Sequence, residues 1–311
     1  MGASGRKSLT GKAILIAGPT ASGKSALALR IAQQVGGSII NADSMQVYQD
    51  ARILTARPSP ADEAAAPHHL YGFVPGSEAY SAGRYVIDAA AAIRRVREEG
   101  RVPIVAGGTG LYFTALLQGL SAIPPVDAAV RRHWRGEAGR LGAAALHKAL
   151  TLRDPRMAAR LARNDAQRIV RALEVLETTG RSLADWQAMP GTGPLATDAC
   201  IKLVVSPPRT VLYERCNARF EAMLRAGALQ EAAALRDARL SPDLPLMRAV
   251  GLRPLMAYLD GRSTLAEAKA QAQAETRQYA KRQLTWLKSN MIAWKQLDTK
   301  EMEREGFDFL S

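Results

Sequence analysis

Four short apolar runs punctuate the chain, at Ala13–Ala17, 38–41, 102–106 and 200–206. Each is strand-like in length and composition. Patterns with helical spacing separate them, notably at 26–35 and 82–99. Strands alternating with helices predict an α/β fold, a parallel sheet with helices on both faces. From 119 to 194 the pattern changes. No run there reads as a strand, and arginines are frequent. Pro124-Pro125 opens this stretch and Pro190-Gly191-Thr192-Gly193-Pro194 closes it, so it reads as a mostly helical insertion. From Thr210 onward the chain is again mostly helical, with a long final pattern at 264–294. Beyond Asp298 it turns polar and is expected to fray. The expected organisation is an α/β core built from 1–118 and 195–311, with a helical insertion at 119–194.

Composition narrows the class. The chain has 311 residues, 47% of them hydrophobic, which is enough for a substantial core. Its net charge of +13 favours a polyanionic partner, the alternative being a generally basic surface. The two cysteines, Cys200 and Cys216, form no C-x-x-C pair and suit a reducing compartment. The opening stretch from Met1 to Lys12 is polar and has no apolar signal core. No apolar run is long enough to span a membrane. A soluble, cytoplasmic protein without a membrane partner is expected.

The sharpest chemical signal directly follows the first apolar run. Gly18-Pro19-Thr20-Ala21-Ser22-Gly23-Lys24-Ser25 fits G-x-x-x-x-G-K-[ST], the phosphate-binding loop, in its strand–loop–helix context. The glycines let the backbone curl so that its N–H groups face phosphate oxygens, and the helix N-terminus adds partial positive charge. Lys24 is expected to neutralise phosphate charge, and the Ser25 hydroxyl to hold Mg²⁺. The fold class is therefore α/β, a P-loop NTPase-like parallel sheet flanked by helices, with the helical insertion added.

Other candidates sit at strand ends. The second run leads into Asn41-Ala42-Asp43-Ser44. Residues just past the carboxyl ends of such strands line the ligand crevice, so Asp43 is a candidate Mg²⁺ ligand or general base, or else a capping residue. The third run leads into Gly107-Gly108-Thr109-Gly110. Most phosphate-loop ATPases place a Mg²⁺-binding aspartate near such a strand end. Here the glycines are expected either to allow close backbone approach to a ligand or to form only a tight turn, and Thr109 offers a neutral donor. Basic clusters follow: Arg131, Arg132 and Arg135 on one helical face; Gln167-Arg168-Ile169-Val170-Arg171; Arg248 to Arg253 around Gly251; and Arg277, Lys281 and Lys288 on one face near Arg282 and Trp286. Each alone fits a solvated face; together they fit an RNA or DNA footprint. Trp286 and Trp294 could stack on bases or belong to the core. His68-His69 lack metal-ligand spacing.

These motifs, in this order, resemble the tRNA dimethylallyltransferases of the IPP transferase family, in their bacterial form without a C-terminal zinc finger. The resemblance covers about residues 13 to 295. It rests on the phosphate loop, on Ala42-Asp43-Ser44-Met45-Gln46-Val47-Tyr48, Thr55-Ala56-Arg57-Pro58, Pro67-His68-His69-Leu70 and Tyr80-Ser81-Ala82. Gly107-Gly108-Thr109-Gly110-Leu111-Tyr112, Asn164-Asp165-Ala166-Gln167-Arg168, the Arg248 to Arg253 run and Lys281-Arg282-Gln283-Leu284-Thr285-Trp286-Leu287-Lys288 extend it.

The resemblance implies transfer of a dimethylallyl group from dimethylallyl diphosphate to N6 of the adenosine 3′-adjacent to the tRNA anticodon, releasing diphosphate. The phosphate loop (Gly18, Thr20, Ala21, Ser22, Gly23, Lys24, Ser25) then binds an allylic diphosphate with Mg²⁺ rather than ATP. By family position Arg219 stabilises the leaving diphosphate. Asp43 takes the N6 proton, and Thr109 contacts the diphosphate or holds the adenosine. The implied tRNA contacts are Asp43, Ser44, Met45, Gln46, Thr109, Arg131, Gln167, Arg168, Ile169, Val170, Arg171, Arg248, Gly251, Arg253, Lys281, Arg282, Trp286 and Lys288. The sequence does not establish oligomeric state; a monomer is the expectation. Three rivals remain at this level: a small-molecule kinase, an isopentenyltransferase acting on free adenosine nucleotides, and an RNA-binding protein with a degenerate nucleotide site.

Overall fold

A computed structural model describes residues 9, 11–189, 191–298 and 301. Pro190, at the close of the expected insertion, lies outside the described residues, as does the tail beyond Asp298 apart from Glu301.

The first apolar run forms β1 (Ala13–Ala17), buried at every position. The phosphate loop follows, then α1 (Lys24–Val35) and β2 (Gly37–Asn41). A short α2 (Pro60–Ala65) precedes β3 (His68–His69). Then come α3 (Ala82–Glu98), β4 (Val102–Gly107) and α4 (Gly110–Gln118). After the insertion, β5 (Cys200–Val205) leads to α9 (Arg209–Arg225), α10 (Ala228–Asp237), α11 (Leu252–Leu259), α12 (Leu265–Asn290) and β6 (Lys295–Leu297); the insertion contributes α5 to α8.

Among the described residues one sheet runs in the order β3-β2-β4-β1-β5-β6, and every pairing is parallel. Parallel strands are covered on both faces, which is why β1 and β2 show no polar alternation. Period-two geometry splits β1 between two cores. Leu15 points to the face packed by Tyr85 and Ile93 of α3, Phe113 and Leu116 of α4, and α9 to α12. Ile14 and Ile16 point to the other face, where Leu27 and Ile31 of α1 cover them. Because all strands run one way, the carboxyl ends of β1, β2 and β4 meet at one edge. That edge carries the phosphate loop, Asp43 and Gly107.

The sheet has two strands that the apolar runs do not reveal. β3 is two adjacent histidines, and β6 is Lys-Gln-Leu, exposed except at Leu297. Edge strands this short lack enough positions to show a period, and pairing with a neighbour decides them. The long final helical pattern also ends earlier than expected: α12 stops at Asn290, and Trp294 lies in the turn before β6.

Among the described residues, those within 118–193 form a second compact unit, and those before 118 or after 193 form the first. The second unit is helical: α5 (Ala128–Arg153), α6 (Pro155–Ala158), α7 (Ala166–Thr179) and α8 (Leu183–Ala188). Asp127, Asp165 and Ser182 cap helix starts through their side chains. Gly142 breaks α5 with φ 76° and ψ 168°. Trp134, Leu146, Leu150, Ile169, Leu173 and Leu183 build the unit's own core.

Phe113 is fully buried and meets Trp294 edge to face, with ring centroids 5.5 Å apart. Phe113→Ala is expected to lower unfolding free energy by about 3–5 kcal/mol, read as a shifted urea midpoint with an unchanged slope.

Candidate functional site

The phosphate loop owes its shape to two left-handed residues, Ala21 at φ 61° and Gly23 at φ 94°. This bends successive peptide N–H groups toward one concave side, a form suited to anions. Gly18 follows β1 directly and donates to the Gly107 carbonyl at 3.3 Å. A Cβ at Gly18 would sit 2.8 Å from the Ser22 hydroxyl. That hydroxyl is buried and has no hydrogen-bond partner among the described residues. Ser25 is exposed in the first turn of α1.

Asp43 lies just past β2. Asn41 holds its backbone by donating to the Asp43 carbonyl (2.9 Å) and accepting from the Asp43 amide (2.8 Å). The Asp43 carboxylate accepts from the Met45 amide at 2.9 Å, which leaves its other oxygen for a ligand. Thr109 donates its amide to Ala42 and accepts the Ser44 amide at 3.0 Å on its hydroxyl oxygen. Asp43, Ser44 and Thr109 therefore form one rigid loop pair.

α9 supplies cations. Arg219 donates to the Thr20 hydroxyl, and Arg215 donates to the Ser22 carbonyl at 3.4 Å. Lys24 donates to the Pro19 carbonyl at 3.2 Å. Burial pulls the Lys24 ammonium down to about 8; Asp43 opposes the fall and Arg219 adds to it. Burial likewise lowers Arg219, with Asp43 among the charges that oppose it. Two half-buried cations are thus held beside a single carboxylate. An anion there would relieve both.

A cavity of about 250 Å³ opens here, lined by Thr20, Asp43, Ser44, Met45, Arg219, Arg248 and Arg282 among the predicted residues. Its apolar wall is Leu54, Phe220, Met223, Ala249 and Val250. The cavity also includes Thr276 and Tyr279 of α12, which the basic pattern of that helix conceals. Thr276, Tyr279, Gln283 and Trp286 follow a helical spacing on its inward side. That stripe was the available signal.

The glycines after β4 prove to make room for protein rather than for a ligand. A Cβ at Gly107 would collide with the Ala42 backbone, one at Gly108 with the Gln283 side-chain amide, and one at Gly110 with the Trp286 ring. Trp286 is therefore packed, although an edge of it also borders a surface groove with Lys281 and Arg282. Trp294 belongs to the core.

The remaining predicted RNA contacts divide. Arg131, Gln167, Arg168, Arg248, Arg253, Lys281, Arg282 and Lys288 are exposed. Arg168 pairs with Asp165 at 2.6 Å, and Arg171, half-buried, lies 3.8 Å from the buried Glu174 carboxylate. Two expectations need correction, that for Ile169 with Val170 and that for Gly251. Ile169 is fully buried and Val170 nearly so in the helical unit's core, because the basic side chains on either side place them on the inward face of α7. Gly251 is buried at φ 85° as the N-cap of α11, against Phe220, so it shapes the backbone instead of offering a contact. The Gln46 amide nitrogen is committed to the Thr55 and Ala56 carbonyls, both at 2.8 Å, so only its oxygen is left for RNA.

Among the described residues no three His, Cys, Asp or Glu side chains cluster to hold a metal. The exposed Ser25 hydroxyl in the first turn of α1 is an oxygen donor of the kind Mg²⁺ would take together with phosphate oxygens and water. No helix among the described residues is long and apolar enough to cross a membrane.

Residues 46–290 match the family described as IPP transferase, and residues 11–69 match isopentenyl transferase. A tRNA dimethylallyltransferase of Methylobacterium sp. (strain 4-46) is 54% identical over 97% of this chain and 99% of its own length. One from Parvibaculum lavamentivorans is 50% identical over 97% and 95%. The crystal structure of a tRNA isopentenylpyrophosphate transferase from Bacillus halodurans superposes with a TM-score of 0.65 at 33% identity, covering 92% of this chain and 89% of that one. A eukaryotic dimethylallyltransferase captured acting on tRNA superposes with a TM-score of 0.74 at 29% identity, over 92% and 73%.

The Lys24 shift sets a pH dependence. Below about 8 the free protein already carries the ammonium; above it, binding an alkyl diphosphate must first take up a proton. Affinity is therefore expected to fall as pH rises through about 8, with proton uptake visible by calorimetry in two buffers. Lys24→Met should bind weakly and show no such inflection.

Proposed function

Because the chain belongs to the IPP transferase family, we propose that its phosphate-loop cavity transfers a dimethylallyl group from dimethylallyl diphosphate to N6 of the tRNA adenosine 3′ of the anticodon. The observation that carries this reading is a single cavity joining Thr20 of the phosphate loop, Arg219 and Asp43 to an apolar wall. A diphosphate, a proton acceptor and a hydrocarbon each find a suitable surface in it.

The N6 lone pair attacks the allylic C1 as the C1–O bond breaks, and the bonding electrons leave on the diphosphate. The amide-lined loop, Lys24 and Arg219 stabilise that developing charge in a water-poor site. Mg²⁺ at Ser25 would add charge neutralisation at the phosphate oxygens. The Asp43 carboxylate, anchored by the Met45 amide, accepts the N6 proton. Thr109 fixes the Ser44 backbone next to it.

An anticodon loop presents unpaired bases, so bringing one into the cavity costs little. Arg131, Gln167, Arg168 and Arg171 on the helical unit, and Arg248, Arg253, Lys281, Arg282 and Lys288 on the core, supply phosphate contacts. The kinase and mononucleotide readings leave this distributed basic surface without a task.

Incubating the protein with Mg²⁺, labelled dimethylallyl diphosphate and an unmodified anticodon stem-loop should label the RNA. Replacing the target adenosine by guanosine should abolish labelling. Label on AMP alone would assign the mononucleotide activity, and ATP consumption without label the kinase. Asp43→Asn is expected to lower kcat by about 10²–10⁴-fold while stem-loop affinity holds. Normal turnover at saturating RNA would remove Asp43 as the base.

A further inference from the structure

One side chain outside the predicted site spans both loops that form it. Gln283 of α12 is 7% exposed. Its Oε1 accepts the Thr20 amide of the phosphate loop at 2.8 Å. Its Nε2 donates to the Gly108 carbonyl at 2.9 Å. Only this orientation of the side-chain amide satisfies both partners. The backbone has been shaped around it, since a Cβ at Gly108 would collide with Nε2. One helical turn on, Trp286 fills the space that a side chain at Gly110 would need.

The consequence is mechanical. Thr20 also receives Arg219 through its hydroxyl, so the phosphate loop is tied to α9 on one side and to α12 on the other. Gly108 directly precedes Thr109, whose amide and hydroxyl hold Ala42 and Ser44 on either side of Asp43. A single amide thus links the loop that binds the leaving group to the turn whose Thr109 holds the Asp43 loop. It does so from a helix whose outer face bears Lys281, Arg282 and Lys288.

We propose that Gln283 is a positioning residue for the transfer reaction, holding the phosphate loop and the Gly108–Thr109 turn in one register so that the diphosphate ester and Asp43 face the same carbon–nitrogen bond. This rests on the reaction assigned above. Gln283 itself transfers no proton. Its contribution falls on alignment, where small displacements are costly in rate. It should therefore appear in kcat more than in the binding of either substrate.

The test uses the full chain with two substitutions. Gln283→Met keeps the shape and removes both hydrogen bonds. It is expected to lower kcat by about tenfold or more while the KM for the stem-loop stays near the wild-type value. Gln283→Glu keeps the acceptor for Thr20 but sets a carboxylate oxygen against the Gly108 carbonyl. Burial there raises the new carboxyl's pKa, and once protonated it can donate to Gly108 as the amide did. The ratio of its kcat to that of the wild type should rise as pH is lowered. If Gln283→Met fails to fold, this pH profile decides alone. A kcat for Gln283→Met within about twofold of wild type, or a flat ratio for Gln283→Glu, overturns the positioning role. No turnover by the wild-type protein would overturn the reaction itself, and the positioning role with it.

Discussion

The site depends on how closely three backbone segments can approach at the carboxyl end of the sheet. β4 ends at Gly107, whose missing side chain lets the Ala42 backbone lie against it. That contact lets the Thr109 amide reach the Ala42 carbonyl and the Thr109 hydroxyl reach Ser44. On the other side, the Gly18 amide reaches the Gly107 carbonyl, tying in the phosphate loop. A single methyl group at Gly107 would push the loop that carries Asp43 away from the phosphate loop. The parallel sheet supplies the common edge, and the glycine supplies the proximity.

Around that junction the electrostatics are deliberately unbalanced. Lys24 and Arg219 are both shifted down by burial, and Asp43 is the carboxylate whose charge opposes both shifts. A folded protein holds cations this way at a cost, because water no longer solvates them fully. The same desolvation strengthens their attraction for an anion when one binds. Phe220, Met223 and Leu54 give the cavity an apolar wall on its other side.

Much of this could be read in the residues alone. The strand–loop–helix context of Gly18 to Ser25 implied an anion-binding turn, and the short apolar runs implied the central strands. These features are local: they depend on backbone propensity and on periods that a few neighbouring residues express. Asp43 was legible for a related reason, since a residue just past a parallel strand has only one edge of the sheet to face. The edge strands β3 and β6 were not legible, because two or three residues hold no period. Ile169 and Val170 were misplaced because a basic motif was read as a continuous surface, while a helix turns its middle residues inward.

The sequence by itself determined the α/β alternation, the phosphate loop, the helical insertion and the family resemblance, since each is written in consecutive residues. Tertiary structure alone decided what the glycines after β4 are for. Gly108 and Gly110 read as space for a ligand. In the fold, Gln283 and Trp286 occupy that space, although they stand more than 170 residues later in the chain. Whether a gap belongs to a substrate or to a side chain depends on which distant helix packs over it. That is set by the burial of the whole of α12, and nothing in the glycines themselves records it.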